Sequence, residues 1–214
     1  MLSKLSYSLS MWEEARSGVL ALARQWPRAV GEEVADRIAL YMRRLLEWNQ
    51  RVNLTGARGL EDLLGDHLPD SFAMSRLVPE GSSVIDVGAG GGLPGIPFSI
   101  LRPDCRITLL EPRAKRVAFL NTTVRETTCG NVSVVRARLE EVGSSRFDVA
   151  VSRATFSPEM WLDLAPPLLI GSGRALLLTT LEVRPRATNA RLVDSVGYKT
   201  SGGSARWAGC YCFT

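Results

Sequence analysis

Apolar positions along the chain follow two different periods, and the change falls near residue 80. Before it the spacing is helical. Val34, Ile38, Tyr41, Leu45 and Trp48 alternate gaps of four and three, which sets them in one stripe along a helix and marks them as core. Ser10-Met11-Trp12-Glu13 reads as a capping box opening an earlier helix, its hydroxyl and carboxylate satisfying opposite backbone donors. Past residue 80, short apolar or β-branched runs (Val84–Val87, Ile107–Leu110, Val132–Val135, Phe147–Val151 and Ala175–Leu178) alternate with helical stretches such as Lys115–Glu126. That alternation belongs to βαβ units and a parallel sheet. The pattern predicts a helical N-terminal cap over residues 1–80 and an α/β domain over residues 81–214.

Composition narrows the class. A chain of 214 residues holds one buried α/β domain plus a small appended element. No apolar run reaches the roughly 18 to 20 residues that cross a bilayer. Met1–Ser10 lacks the basic, apolar, small-residue order of a secretory signal, so a cytoplasmic protein without membrane contact is expected. Cys105, Cys129, Cys210 and Cys212 form no CxxC pair and have no histidine at ligand spacing; reduced thiols and no metal site are expected. The net charge of +4 rests on 23 Arg against 3 Lys. A guanidinium suits phosphate and stacks on bases, so this charge permits a nucleic-acid partner without establishing one.

The chemistry begins where Val84-Ile85-Asp86-Val87 runs into Gly88-Ala89-Gly90-Gly91-Gly92-Leu93-Pro94-Gly95, with Pro94 and Pro97 suited to a helix's opening turn. Glycine in such a turn admits positive φ and lets a ligand approach with no Cβ in the way. Two cofactor readings compete. Gly90–Gly95 fits the dinucleotide pattern G-x-G-x-x-G, but starts late, past the end of the apolar strand. Asp86–Gly92 fits acid-x-G-x-G-x-G in register with the strand end. A carboxylate there opposes a pyrophosphate and suits an ammonium and a sulfonium. S-adenosylmethionine is therefore favoured over NAD, with Asp86, Gly88 and Gly90 against it.

The other strand ends agree. Glu111 ends the second run about twenty residues past the turn, where an acid chelates ribose hydroxyls. An acid in Ala137-Arg138-Leu139-Glu140-Glu141 is placed to accept from an adenine amino group beside a backbone amide. Arg153, after the fourth run, stands at the crevice mouth and faces cofactor or substrate. The bland alternatives are a solvated acid paired with Arg113 or Lys115, a solvated helix start, and an arginine capping a loop.

Several stretches together resemble one family. Leu46-Glu47-Trp48-Asn49-Gln50-Arg51-Val52-Asn53-Leu54-Thr55, His67-Leu68-Pro69-Asp70-Ser71, Asp86-Val87-Gly88 through Gly92-Leu93-Pro94-Gly95-Ile96-Pro97, Lys115-Arg116-Val117-Ala118-Phe119-Leu120 and Ser152-Arg153-Ala154 are similar to the bacterial small-subunit rRNA guanine-N7 methyltransferases, the glucose-inhibited division protein B family. The resemblance implies a Rossmann-like class I methyltransferase, a mostly parallel seven-stranded sheet with helices on both faces and a helical N-terminal cap. It implies methylation of N7 of a guanine in 16S rRNA of the small ribosomal subunit. It carries cofactor contacts onto Gly88, Leu93, Leu139, Glu140 and Arg153.

Guanine N7 offers an unprotonated lone pair, so no general base is needed and no catalytic residue is assigned. Catalysis reduces to aligning nitrogen, methyl carbon and sulfur. His67 pairs with no nucleophile in the sequence and reads as structural. Arg51 and Arg116 are expected to bring the RNA backbone to the cofactor, with Arg43, Arg44, Arg113 and Arg153 as further candidates. A monomer is expected. Thr179-Thr180-Leu181 stands where the family usually has lysine and glycine, which keeps a catalytically impaired cofactor- or RNA-binding relative open beside an NAD-dependent oxidoreductase.

Overall fold

A computed structural model describes residues 2–143, 147–180 and 189–214, with side chains from Met11 onward. The first helix, α1 (Leu2–Ala23), runs unbroken through Ser10, so the expected capping box lies inside the helix instead of opening it. Ala15, Val19 and Ala23, spaced four apart, bury one face, and that burial outweighs the local cap signal. Helix α2 (Glu32–Asn49) buries Ile38, Tyr41 and Leu45 as the stripe requires, adding Ala35, Ala39 and Met42. Glu32 and Glu33 in its first turn suit the positive end of the helix dipole. Arg16 pairs with Glu32 at 2.7 Å and Asp36 at 2.9 Å, tying α1 to α2. A short α3 (Leu60–Asp62) passes through a π-helical segment, Leu63–His67, into α4 (Leu68–Leu77).

Seven strands follow: β1 (Ser83–Val87), β2 (Arg106–Leu110), β3 (Val132–Val135), β4 (Phe147–Ser152), β5 (Leu169–Thr179), β6 (Ala190–Lys199) and β7 (Ala205–Phe213). Helices α5 (Gly95–Leu101), α6 (Ala114–Glu126) and α7 (Pro158–Leu164) follow β1, β2 and β4, and a 3₁₀ turn, Leu139–Glu141, follows β3. The sheet order is β3-β2-β1-β4-β5-β7-β6. β1 to β5 are parallel, and β7 is antiparallel to both β5 and β6. The expected mostly parallel seven-stranded Rossmann-like sheet is thus observed. The five strands read from apolar runs are present, the first four within a residue of the reading, whereas β5 begins at Leu169, well before Ala175, through the exposed Gly171 and Ser172 that hid it. The tail contributes a hairpin, β6–β7, that no apolar run announced. Leu181 lies outside the described residues.

Strand side chains alternate between two cores. Val84, Ile107, Leu109, Val149, Val151 and Leu176 join a large cluster with α1, α2, α4, α5 and α6. Ile85, Val87, Leu110, Ala150, Ala175 and Leu177 face the other way, against Trp161 and Leu162 of α7. One apolar cluster therefore runs from Ala15 of α1 to Cys210 of β7. The strand order reverses between β1 and β4, and such sheets hold ligands in the crevice beyond the carboxyl ends at that place.

Candidate active site

The glycine turn between β1 and α5 is braced from several sides. Gly88 (φ +77°) and Gly90 (φ +55°) adopt the left-handed backbone that side chains disfavour. The Gly88 and Ala89 amides donate to Leu110 O at 2.9 and 3.0 Å. The Gly90 amide donates to Glu111 Oε2 at 3.0 Å, and the Arg113 amide to Oε1 at 2.9 Å. The Gly95 amide donates to Asp86 Oδ2 at 3.1 Å, while Tyr41 Oη donates to Gly91 O at 2.7 Å and Ser71 Oγ to Pro94 O at 3.0 Å.

Over this turn lies a cavity of about 290 Å³, lined by the turn itself, by Leu54, Thr55 and Gly56, by Arg116, and by His67, Arg153, Ala154 and Thr155. Each wall repeats a motif noticed in the sequence. Asn49 Oδ1 accepts from the Leu54 and Thr55 amides at 2.9 and 3.0 Å, and its Nδ2 donates to Thr55 O at 3.0 Å. The Trp-Asn…Asn-Leu-Thr run is therefore one asparagine folding the 54–57 segment over the cavity. Arg116 Nη2 donates to Asn53 O at 2.9 Å and stays against that segment. The π-helical segment ends on His67, which lines the cavity, and π-turns are frequent at functional sites. In the same motif Asp70 accepts from Arg153 Nε, and Ser71 holds Pro94.

Of the expected site residues, Gly88, Gly90, Leu93 and Arg153 line the cavity. Asp86 and Glu111 lie behind it, 1% and 2% exposed, and grip the backbone of the turn. Glu111 is thus neither solvated nor paired with the Arg113 side chain. Its nearest guanidinium is Arg116, 3.8 Å away. Leu139 and Glu140 form a 3₁₀ turn after β3, outside the lining. Leu139 packs against the α7-side core and Glu140 is exposed. Arg51 is exposed at the end of α2, away from the cavity, whereas Arg116 belongs to the wall itself. Arg43 and Arg44 are engaged, Arg44 with Glu126 at 2.6 Å and Glu47 at 2.8 Å, and Arg43 over the Trp12 ring and 3.6 Å from Glu47. Sequence reasoning read Tyr41 as core and His67 as structural, gave Asp70 no role of its own within its motif, and passed over Tyr198.

Burial governs the electrostatics. Desolvation pushes Asp86 up to about 7, against the Gly95 amide and the Arg153 charge, which oppose the rise. Burial lowers His67, and the Arg153 guanidinium adds to it. A guanidinium only donates, so His67 Nδ1 accepts from Arg153 Nη2 and the ring proton resides on Nε2. Among the described residues no group of three or more His, Cys, Asp or Glu side chains is placed to hold a metal ion.

The family model for rRNA small subunit methyltransferase G (GidB) matches residues 35–191. The chain belongs to that family. Ribosomal RNA small subunit methyltransferase G of Neisseria meningitidis serogroup B is 39% identical over 142 residues, covering 66% of this chain and 67% of the relative. The protein of that name from Desulfitobacterium hafniense is 36% identical over 148 residues, 67% of this chain and 61% of the relative. The resemblance drawn from the motifs is borne out, and the dinucleotide reading of Gly90–Gly95 gives way. Among solved structures, Trm5b from Pyrococcus abyssi aligns with a TM-score of 0.54 at 15% identity over 71% of this chain and 49% of that one. M. jannaschii TYW2 in complex with AdoMet aligns at 0.53 and 15% identity over 68% of this chain and 75% of that one. At such identity these likenesses are of fold, and they agree that this methyltransferase-family chain is Rossmann-like.

Proposed function

We propose that this family member transfers a methyl group from S-adenosylmethionine to N7 of a guanine in 16S rRNA, as a cytoplasmic monomer acting on the small ribosomal subunit. The observation that carries the reading is convergence. Motifs spread from Asn49 to Arg153 build the walls of one cavity at the point where the strand order reverses.

The residues present suit the cofactor's charges. Arg116 and Arg153 line the cavity and match a carboxylate, and Glu111 behind the turn matches a sulfonium and an ammonium. Asp86, raised to about 7 by burial, serves the site by holding the Gly95 amide. When bound, the cofactor supplies an electrophilic methyl group. Gly88 and Gly90 keep the turn open to it, and Leu93 gives the cavity an apolar surface. Glu111 holds the Gly90 amide with one oxygen and the Arg113 amide with the other, and the second lone pair of each is assigned to the ribose hydroxyls. Leu139 and Glu140, one strand further along the sheet edge, are assigned to the adenine end. Nothing in the cavity needs to remove a proton, because N7 attacks with a lone pair it already has. Positioning then carries the rate and is worth about 7 to 11 kcal/mol where the reacting atoms are well aligned. Arg51 and Arg116 are assigned to the RNA backbone.

The test is methyl transfer from labelled cofactor to small subunits lacking the modification, followed by mapping of the labelled base. Label at a guanine N7 is expected. Label on a protein, on another base or on a small molecule would overturn the assignment. Cofactor binding without any label would favour the impaired relative suggested by Thr179 and Thr180.

A further inference from the structure

Behind the cavity wall stands a cluster that joins Asp70 and Arg153, from two of the sequence motifs, to Tyr198, which belongs to none. Asp70, on α4 and 2% exposed, spends its two carboxylate oxygens on different elements. Oδ2 accepts from Arg153 Nε, after β4, and Oδ1 accepts from Tyr198 Oη, on β6, at 2.5 Å. Arg153 gives a further donor to His67 Nδ1, which leaves Nη1 for the cavity that Arg153 lines. Tyr198 is itself held in place. Its ring meets Trp26 edge-on at 5.6 Å, and Trp26 stacks on Phe72 of α4 at 5.9 Å. Tyr198 lies beyond residue 191, where the match to the family model ends.

A loose guanidinium in this cavity would repel a ligand that carries a sulfonium. Fixed to Asp70, the same group is partly neutralised and presents its remaining donors in one direction. The anionic group of S-adenosylmethionine is its carboxylate. We propose that Asp70 and Tyr198 are positioning residues that hold Arg153 as the receptor for that carboxylate, so that the β6–β7 hairpin completes the amino-acid end of the cofactor site. The inference rests on the S-adenosylmethionine reading. Without the Tyr198 hydroxyl, one oxygen of a buried carboxylate loses its donor, and the carboxylate is free to turn and carry Arg153 out of its direction.

The experiment is calorimetric titration of the full chain and its Tyr198→Phe and Asp70→Asn variants with two ligands. S-adenosylhomocysteine keeps the amino-acid end; 5′-methylthioadenosine lacks it. Tyr198→Phe should weaken S-adenosylhomocysteine roughly fivefold or more, as loss of a hydrogen bond to a charged group does. Affinity for 5′-methylthioadenosine should change by less than about twofold, a split that general loosening of the fold would not produce. Asp70→Asn should show the same split with a larger loss, and Tyr198→Phe carries the test alone if Asp70→Asn does not fold. Equal losses for both ligands would overturn the assignment while the cofactor reading stands. So would unaltered S-adenosylhomocysteine affinity with a raised KM for RNA, which would hand Arg153 to the target base. A parent chain that binds neither ligand would overturn both.

Discussion

At the residue scale, Asp86 is an acid taken almost wholly out of water, 1% exposed beneath the glycine turn. An unfolded aspartate ionises near pH 4, whereas in the fold burial holds Asp86 protonated up to about 7. Folding therefore takes up a proton across that window. The contribution of Asp86 to stability is full below about pH 4 and is lost as pH rises toward about 7. Asp86→Asn cannot titrate, so the parent should lose stability relative to this variant between those two pH values. Urea midpoints of both proteins at a series of pH values measure it. A difference that stays flat would mean that the carboxylate is ionised throughout. Gly90 makes a separate point. A Cβ there would have room, its nearest neighbour being Arg116 Nη1 at 3.7 Å, so φ +55° and not a clash is the constraint. A β-branched residue is an outlier in that region. Gly90→Val should stay folded with the turn relaxed out of that conformation, and bind S-adenosylhomocysteine about five- to thirtyfold less tightly, since left-handed backbone costs about 1 to 2 kcal/mol for such a residue. Unchanged affinity would move the site away from this turn.

At the scale of elements, Arg102 fastens the ends of two helices. It is 2% exposed and donates to Ser75 O, Val78 O and Pro79 O around the end of α4, while a salt bridge at 2.6 Å pairs it with Asp104. That pairing holds the Asp104 carboxyl well below the usual carboxylate range. Arg102→Ala strands those carbonyls, while Asp104 is exposed enough to be solvated once unpaired, so the change should cost about 1 to 3 kcal/mol in chemical denaturation. A loss below about 1 kcal/mol would show the network to be dispensable. Elements whose signal is local were legible in the sequence. β1 and β4 announce themselves as apolar runs because they lie mid-sheet and are buried on both faces. β2 and β5 do so through their buried stretches, and β3, a half-buried edge strand, through its β-branched valines, while α2 does so because a single stripe faces the core. The β6–β7 hairpin was not legible. β6 is an edge strand with mostly exposed or half-buried positions, and Arg191, Asp194 and Gly197 interrupt any alternation. The site divided in the same way. The glycine turn was readable because positive φ demands glycine. The bond from Asp70 to Tyr198 was not, since it joins residues 128 positions apart through no pattern either one shows alone.

At the scale of the whole molecule, the distribution of charge decides how RNA is met. Arg43, Arg44, Arg116 and Arg153 are held in ion pairs or against backbone oxygens, whereas Arg51, Arg113 and Lys115 stand exposed near the end of α2 and the start of α6. Reversing charge at Arg51 and Lys115 together should weaken RNA binding and lower the slope of log affinity against log salt by about 1 to 2, one counterion for each lost phosphate contact. S-adenosylhomocysteine affinity should hold. Filter binding across a salt series reads the first result, calorimetry the second, and an unaltered slope would place the RNA on another face. Arg116, assigned to the RNA as well, is left unchanged in this test, because it also lines the cofactor cavity and its reversal would move both readouts. Topology carries a last consequence, and it concerns time. The crevice exists only where β1 lies beside β4, and Ser152 Oγ closes on Val87 O across 65 residues of chain. Contacts that distant form late, after the entropy of closing the intervening loop has been met. A ligand seated in the crevice would therefore be absent from the folding transition state and present in the native one. It should leave the refolding rate untouched and slow unfolding in proportion to its occupancy, so that in stopped-flow experiments the bound protein is recognised by how reluctantly it comes apart.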